Sequence, residues 1–227
     1  INEFDKKNFI GTFNPPYAIV NDVEFLSTLE DRDWRAGIAE AIKVALLKDA
    51  DFFSWIEAHV EALTTRDENT MQQLIYKCAD LHMRHITQGG DPFELGSSRP
   101  LDFGHWSAHK LEQMTKYAIR HGEAVAKGIA LDVVYAEHLG ILSIGDSRRV
   151  IDLFTQLGFD LNLPIKTQEE IPVLLEGIQE FREHLGGKLT ITLISEIGKA
   201  CDVHEIDTDE MIQAINRQIG EDNQSVA

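Results

Sequence analysis

His121-Gly122-Glu123-Ala124-Val125 opens a stretch that stays apolar through Ile129-Ala130-Leu131 and Val133-Val134-Tyr135-Ala136 to His138 and closes at Gly140. It reads as one long helix ended by a glycine. Two residues at its start bear on chemistry. Glu123 is favoured there by the helix dipole alone, whereas a charged imidazole at position 121 is not. A neutral, metal-bound His121 has no such conflict.

Upstream, the pattern is helical from about residue 31 to 160. Ile38, Ile42, Ala45 and Leu46 fall on one face. Glu40 lies in the same stretch, among Ala36, Gly37, Ala39 and Ala41. A carboxylate among small residues is costly to bury unless it is paired or metal-bound. Lys43, three residues on, makes a plain surface ion pair an equally good account. Between these pieces, Gly104-His105-Trp106-Ser107-Ala108-His109 sets two histidines one helical turn apart on one face. Such a pair also fits two unrelated hydrogen bonds. Read together, the three pieces offer one Glu and two or three His to a single divalent metal. Three protein ligands leave a coordination position open, as a catalytic zinc site requires.

The remaining elements are ordinary. Asp51 can cap a helix with the stripe Phe52, Ile56, Val60 and Leu63, and residues 67–86 carry Met71, Leu74, Ile75, Cys78 and Leu81 inward. Gly89-Gly90-Asp91-Pro92 opens a loop over 87–100. Helices fit 146–157, 167–185 and 207–219, with Thr167/Glu170 and Asp207/Glu210 spaced as capping boxes. Tyr17-Ala18-Ile19-Val20 reads as a short buried strand, and Leu189 to Ile194 fits a second one. The fold class is mainly α, multi-helical, with one or two short strands. Trp34, Trp55 and Trp106 are expected in the core, Trp106 also shaping a pocket between the two histidines.

The chain of 227 residues is long enough for one large domain. A net charge of −17 disfavours nucleic acid as a partner, yet a local basic cluster can still take a small anion. No apolar run is long enough to span a bilayer, so no membrane is expected. Cys78 and Cys201 make no disulfide framework, and a reducing cytoplasm is the expected location.

In combination and order, Gly37-Ile38-Ala39-Glu40-Ala41-Ile42-Lys43, Gly104-His105-Trp106-Ser107-Ala108-His109 and His121-Gly122-Glu123-Ala124-Val125 resemble the C-terminal part of 3-dehydroquinate synthase and related sugar-phosphate cyclases. The resemblance runs from about Lys7 to the region of Ile197. It implies a helical domain in which Glu40, His105 and His121 bind Zn2+ (or Co2+) while Lys43 and His109 contact the substrate. It implies further that Lys7 and Asn8 face the nucleotide or the substrate, and that Phe25, Leu26, Ser27 and Thr28 line the NAD+ site. The implied reaction oxidises a ring hydroxyl of a sugar phosphate with NAD+, eliminates phosphate, reduces the carbonyl again and closes a carbocycle by an aldol step. A homodimer is expected by analogy alone.

Several positions depart from the family pattern. Asp102 stands where an Asn is usual, Ser98 where an Arg is, with Arg99 one place off, and His82 where a Lys is. Arg182 takes the place of a phosphate-binding Lys. Asp102 and Arg182 therefore join Lys43 and His109 as candidate catalytic residues, and the departures point to another substrate, such as the seven-carbon sugar phosphate of valiolone-type synthases. No Gly-x-Gly-x-x-Gly phosphate loop occurs. Residues 1–30 are thus expected to be the end of a nucleotide-binding domain or a linker. Residues 31–227 are the metal- and substrate-binding domain, and the NAD-binding domain is expected to be missing from this chain, leaving it inactive alone. Two rivals are a metal-dependent phosphohydrolase on a helical scaffold and a non-catalytic helical module with structural histidines.

Overall fold

The computed structural model describes residues 17–88, 100–184 and 187–219. Lys7, Asn8, Ser98, Arg99 and most of the expected 87–100 loop lie outside them. The elements run α1 (Asp31–Lys48), α2 (Ala50–Ala58), α3 (Val60–Thr64), α4 (Glu68–Gln88), α5 (His105–Met114), α6 (His121–His138), α7 (Ile144–Gln156), α8 (Glu170–His184), β1 (Ile191–Glu196), β2 (Lys199–Val203) and α9 (Thr208–Gln218). Short 3-10 turns cover Val23–Thr28 and Pro100–Asp102.

The apolar stretch that begins at His121 is α6, and it is the centre of the molecule. Residues 124–136 are buried on every side, packed by α1, α5, α7, α9 and β1. That full burial is why the stretch is apolar all round rather than striped. Ile38, Ile42, Ala45 and Leu46 of α1 are wholly buried against it, as their spacing requires.

Two glycines of α6 set how close its neighbours come. A Cβ on Gly122 would lie inside the van der Waals envelope of the Ala36 carbonyl on α1, with its carbonyl carbon 2.6 Å away. A Cβ on Gly128 would overlap the Gly104 carbonyl oxygen at the start of α5 and stand 2.8 Å from Ser107 Oγ. Both crossings are backbone on backbone, which only glycine permits. They draw the Glu40 helix and the His105 helix onto the helix that starts with His121.

Other local expectations shift. Tyr17–Val20 forms no strand: Tyr17, Ile19 and Val20 are exposed and meet no pairing partner among the described residues. Asp49, not Asp51, caps α2 by accepting from the Phe52 N–H at 2.8 Å. The helix expected through 52–63 breaks at His59, whose ring stacks on Trp55 and donates from Nδ1 to the Trp55 carbonyl at 2.7 Å. Glu170 accepts from the Lys166 N–H at 2.6 Å, so no box forms with Thr167. Asp207 accepts from the N–H groups of Asp209 and Glu210, but its own N–H goes to the Tyr135 hydroxyl at 2.8 Å, leaving Glu210 to face His138. The strand read at Leu189–Ile194 is β1, paired antiparallel with the more exposed β2 and tied to α1 through the Gly198 N–H and the Leu46 carbonyl.

Candidate metal centre

The three carriers of the site are α1, α5 and α6, and their close crossings bring Glu40, His105 and His121 together. Glu40 Oε1 stands 3.4 Å from His121 Nε2 and 4.0 Å from His105 Nε2. The Glu40 side chain keeps 38% of its surface, yet Oε1 itself is closed to solvent and, among the described residues, has no hydrogen-bond partner. Its other oxygen is held by Lys43 Nζ at 2.6 Å. Lys43 is buried, so the surface pair that the spacing also allowed is instead a clamp that aims Oε1 at the two imidazoles.

Each imidazole is oriented from behind. His105 Nδ1 faces the Phe103 carbonyl at 3.0 Å, which makes it the donor there and turns Nε2, with its lone pair, toward Glu40. Burial, helped by the nearby Lys43 charge, pushes the His105 imidazole down to about 3, so it is neutral at ordinary pH. His121 Nδ1 lies 3.1 Å from Glu112 Oε2, an arrangement in which the carboxylate accepts the ring N–H and Nε2 is left as the ligand atom. Burial works to raise the Glu40 carboxyl, but the Lys43 ammonium held on its other oxygen helps to keep it ionised, below the usual carboxylate range.

These residues fit a divalent metal. Their donor atoms lie within 4.8 Å of one another. Two ligands of a tetrahedral zinc stand about 3.4 Å apart, so the two spacings from Glu40 Oε1 need at most a sub-ångström adjustment. A neutral His, an ionised carboxylate with a buried unpaired oxygen, and outer partners on both imidazoles are what such a site uses. A second triad, His109, Glu112 and His121, also has donors within 4.8 Å, but there His121 Nδ1 is already engaged by Glu112.

His109 stands at the mouth of the cluster, its ring 5.4 Å from that of His105 and 5.9 Å from that of His121. Asp102 is half-buried in the 3-10 turn leading into His105. Glu123 plays no part in the centre: it takes the Arg120 N–H at 2.8 Å and the Arg32 guanidinium. Arg182 is exposed near the end of α8 and donates to the Gly187 carbonyl at 2.7 Å. Among the described residues its guanidinium thus engages the chain itself rather than the cluster. His82 is exposed on α4. Phe25, Leu26, Ser27 and Thr28 form the first 3-10 turn, with Phe25 69% exposed.

Sequence reasoning missed Glu112. The signal was present: His105, His109 and Glu112 stand at i, i+4 and i+7 on α5, one polar stripe on a largely buried helix. Glu112→Gln is expected to weaken zinc binding 10- to 100-fold, because an amide is a poorer acceptor for the His121 ring N–H. Competition against a chelator of known affinity would measure it, and unchanged affinity would remove Glu112 from the centre.

A model of the 3-dehydroquinate synthase C-terminal family matches residues 37–180. The chain belongs to that family. All three motifs that carry the candidate ligands lie inside the match. Among solved structures it is similar to ValA, a 2-epi-5-epi-valiolone synthase from Streptomyces hygroscopicus subsp. jinggangensis 5008 with NAD+ and Zn2+ bound, at 29% identity and a TM-score of 0.84 over 93% of this chain. A 2-deoxy-scyllo-inosose synthase complexed with carbaglucose-6-phosphate, NAD+ and Co2+ shares the fold at 19% identity and a TM-score of 0.74 over 94% of this chain. The chain spans 58% of the length of the first and 60% of the second. Among the described residues no helix is long and apolar enough to cross a membrane.

Proposed function

We propose that this chain is the metal- and substrate-binding part of an NAD+-dependent sugar-phosphate cyclase that holds Zn2+ or Co2+ on Glu40, His105 and His121. The observation that carries the reading is the convergence of those three donors, with the Glu40 oxygen buried and unpaired, in a chain of the 3-dehydroquinate synthase C-terminal family. The likeness to a Zn2+- and NAD+-bound valiolone synthase supports it. When bound, the metal would polarise neighbouring substrate hydroxyls and NAD+ would take up hydride.

The chain's own residues do the rest. Lys43 fixes the Glu40 carboxylate and lends positive charge to that side of the cluster. His109, at the mouth, is placed to hydrogen-bond a substrate hydroxyl or phosphate oxygen. Asp102 is the neighbouring polar group on the same loop, and Arg182 is the cation assigned to the phosphate once ligand binding draws it from Gly187. Lys7, Asn8 and the Phe25–Thr28 turn are assigned to the nucleotide. An exposed Phe25 ring fits a surface that something else covers. A seven-carbon sugar phosphate is the substrate we favour, given the departures at Asp102, Ser98 and His82 and the likeness to the valiolone synthase.

The first test is metal content of the purified chain. About one zinc or cobalt per chain is expected; a well-folded chain that takes up neither ion overturns the reading. The second compares substrates in the protein joined to its nucleotide-binding domain. Turnover of sedoheptulose 7-phosphate is expected, and conversion of the dehydroquinate precursor instead would reverse the substrate assignment. Residues 1–227 alone are expected to show no turnover.

A further inference from the structure

We propose that Asp132 is a positioning residue for the metal centre, hanging the His105 loop from the same helix that carries His121. It rests on the reading of Glu40, His105 and His121 as the ligands.

Asp132 lies in the apolar middle of α6 and is wholly buried. Its Oδ2 accepts from the Gly104 N–H at 2.9 Å, and its Oδ1 accepts from the Trp106 ring N–H at 2.8 Å. Gly104 precedes His105 and Trp106 follows it. One carboxylate therefore grips the chain on both sides of a candidate ligand. The ring of His105 is in turn fixed to the Phe103 carbonyl just before. Any shift of residues 103–106 moves Nε2 bodily, and Asp132 is the polar contact that sets where those residues sit. Because His121 opens the same rigid helix, Asp132 also fixes the spacing between the two imidazoles.

The local chain needs such a grip. Gly104 takes φ +75° and comes against Ile129 of α6, and no side chain caps the start of α5. The Gly104 N–H would otherwise be buried without a partner, at a cost comparable to a lost hydrogen bond. A carboxylate is nonetheless an expensive way to satisfy it. Among the described residues two neutral donors and no cation bear on it, and burial pushes the Asp132 carboxyl up to about 7. For stability alone, a well-packed apolar side chain in place of a buried charge is often as good or better. What the carboxylate adds is two directed acceptors, one for each side of His105.

The test is metal affinity and the Co2+ absorption spectrum of three variants of the chain. Asp132→Asn keeps the shape but offers only one acceptor to two donors. It is expected to lower zinc affinity 10- to 100-fold, the range for lost outer-shell partners, and to alter the Co2+ bands. Trp106→Phe removes one of the two bonds and should shift both readouts the same way by less. Tyr135→Phe deletes a hydrogen bond from the same helix to Asp207 and is expected to leave affinity and spectrum unchanged. If Asp132→Asn or, should that variant not fold, Trp106→Phe lowers only the melting temperature while metal affinity and spectrum stay those of the wild type, the proposal is overturned. A wild-type chain that takes up no metal overturns the ligand reading, and the proposal with it.

Discussion

Gly128→Ala should cost the domain a large part of its stability, although alanine is the better helix former. In an open helix the exchange gains about 1 kcal/mol. Here the new methyl would overlap the Gly104 carbonyl oxygen and crowd Ser107 Oγ at 2.8 Å, and backbone cannot rotate aside as a long side chain can. Helices α5 and α6 must separate, opening the core around Phe103, Ile129 and Leu111, all fully buried. Overpacking of this kind costs roughly 3 kcal/mol or more, out of a typical total of about 5–15. Gly122→Ala should behave likewise against Ala36, and because that crossing also sets the distance from Glu40 to His121, it should weaken metal binding as well. Gly37 supplies the control. It lies in α1 with nothing within 4 Å of a Cβ, so Gly37→Ala should stabilise the domain by about 0.5–1 kcal/mol. Urea unfolding of the three variants separates packing from propensity. Wild-type stability in Gly128→Ala would mean that α5 and α6 are not in backbone contact.

The contrast among these glycines marks what a sequence can and cannot say. Helical periodicity made α1 and α6 legible, because burial leaves an apolar stripe or run that any reader of the chain can count. The convergence of Glu40, His105 and His121 was legible too, since glycine and alanine beside a carboxylate or imidazole signal close packing. Which glycine serves packing was not: Gly37 and Gly122 look alike in sequence, and only the crossing partner tells them apart. Tyr17–Val20 misled because a strand needs a neighbour, and local composition carries no information about one. Asp207 misled for a related reason. Its N–H found the Tyr135 hydroxyl, 72 positions away in the chain, in preference to Glu210 nearby. Asp132 had the weakest signal of all, a lone acid in an apolar run, which reads as an interruption until its two donors across the helix crossing are known.

The second large effect is expected at the centre itself and decides which triad holds the ion. Glu40→Gln and His105→Ala should each abolish stoichiometric zinc uptake. An amide oxygen is a poor ligand in place of a carboxylate, and two remaining protein ligands do not make a tight site. His109→Ala should retain the metal, since His109 is not one of the donors gathered with Glu40 and His105. If the ion instead sat on His109, Glu112 and His121, the pattern would reverse: His109→Ala would lose zinc and Glu40→Gln would keep it. The geometry favours the first set. In the second, Glu112 would have to serve both the ion and the His121 Nδ1 that it already engages at 3.1 Å, and Glu40 Oε1 would stay buried with no hydrogen-bond partner among the described residues, at a cost of about 1–3 kcal/mol. In the first, that orphaned oxygen acquires its ligand, and Glu112 keeps its hold on His121. His121→Ala fails in both cases and so identifies the cluster without choosing between the triads. Zinc stoichiometry for the four variants, with circular dichroism to show that each is folded, makes the choice. Uptake that survives both Glu40→Gln and His105→Ala would end the assignment of the ion to Glu40 and His105.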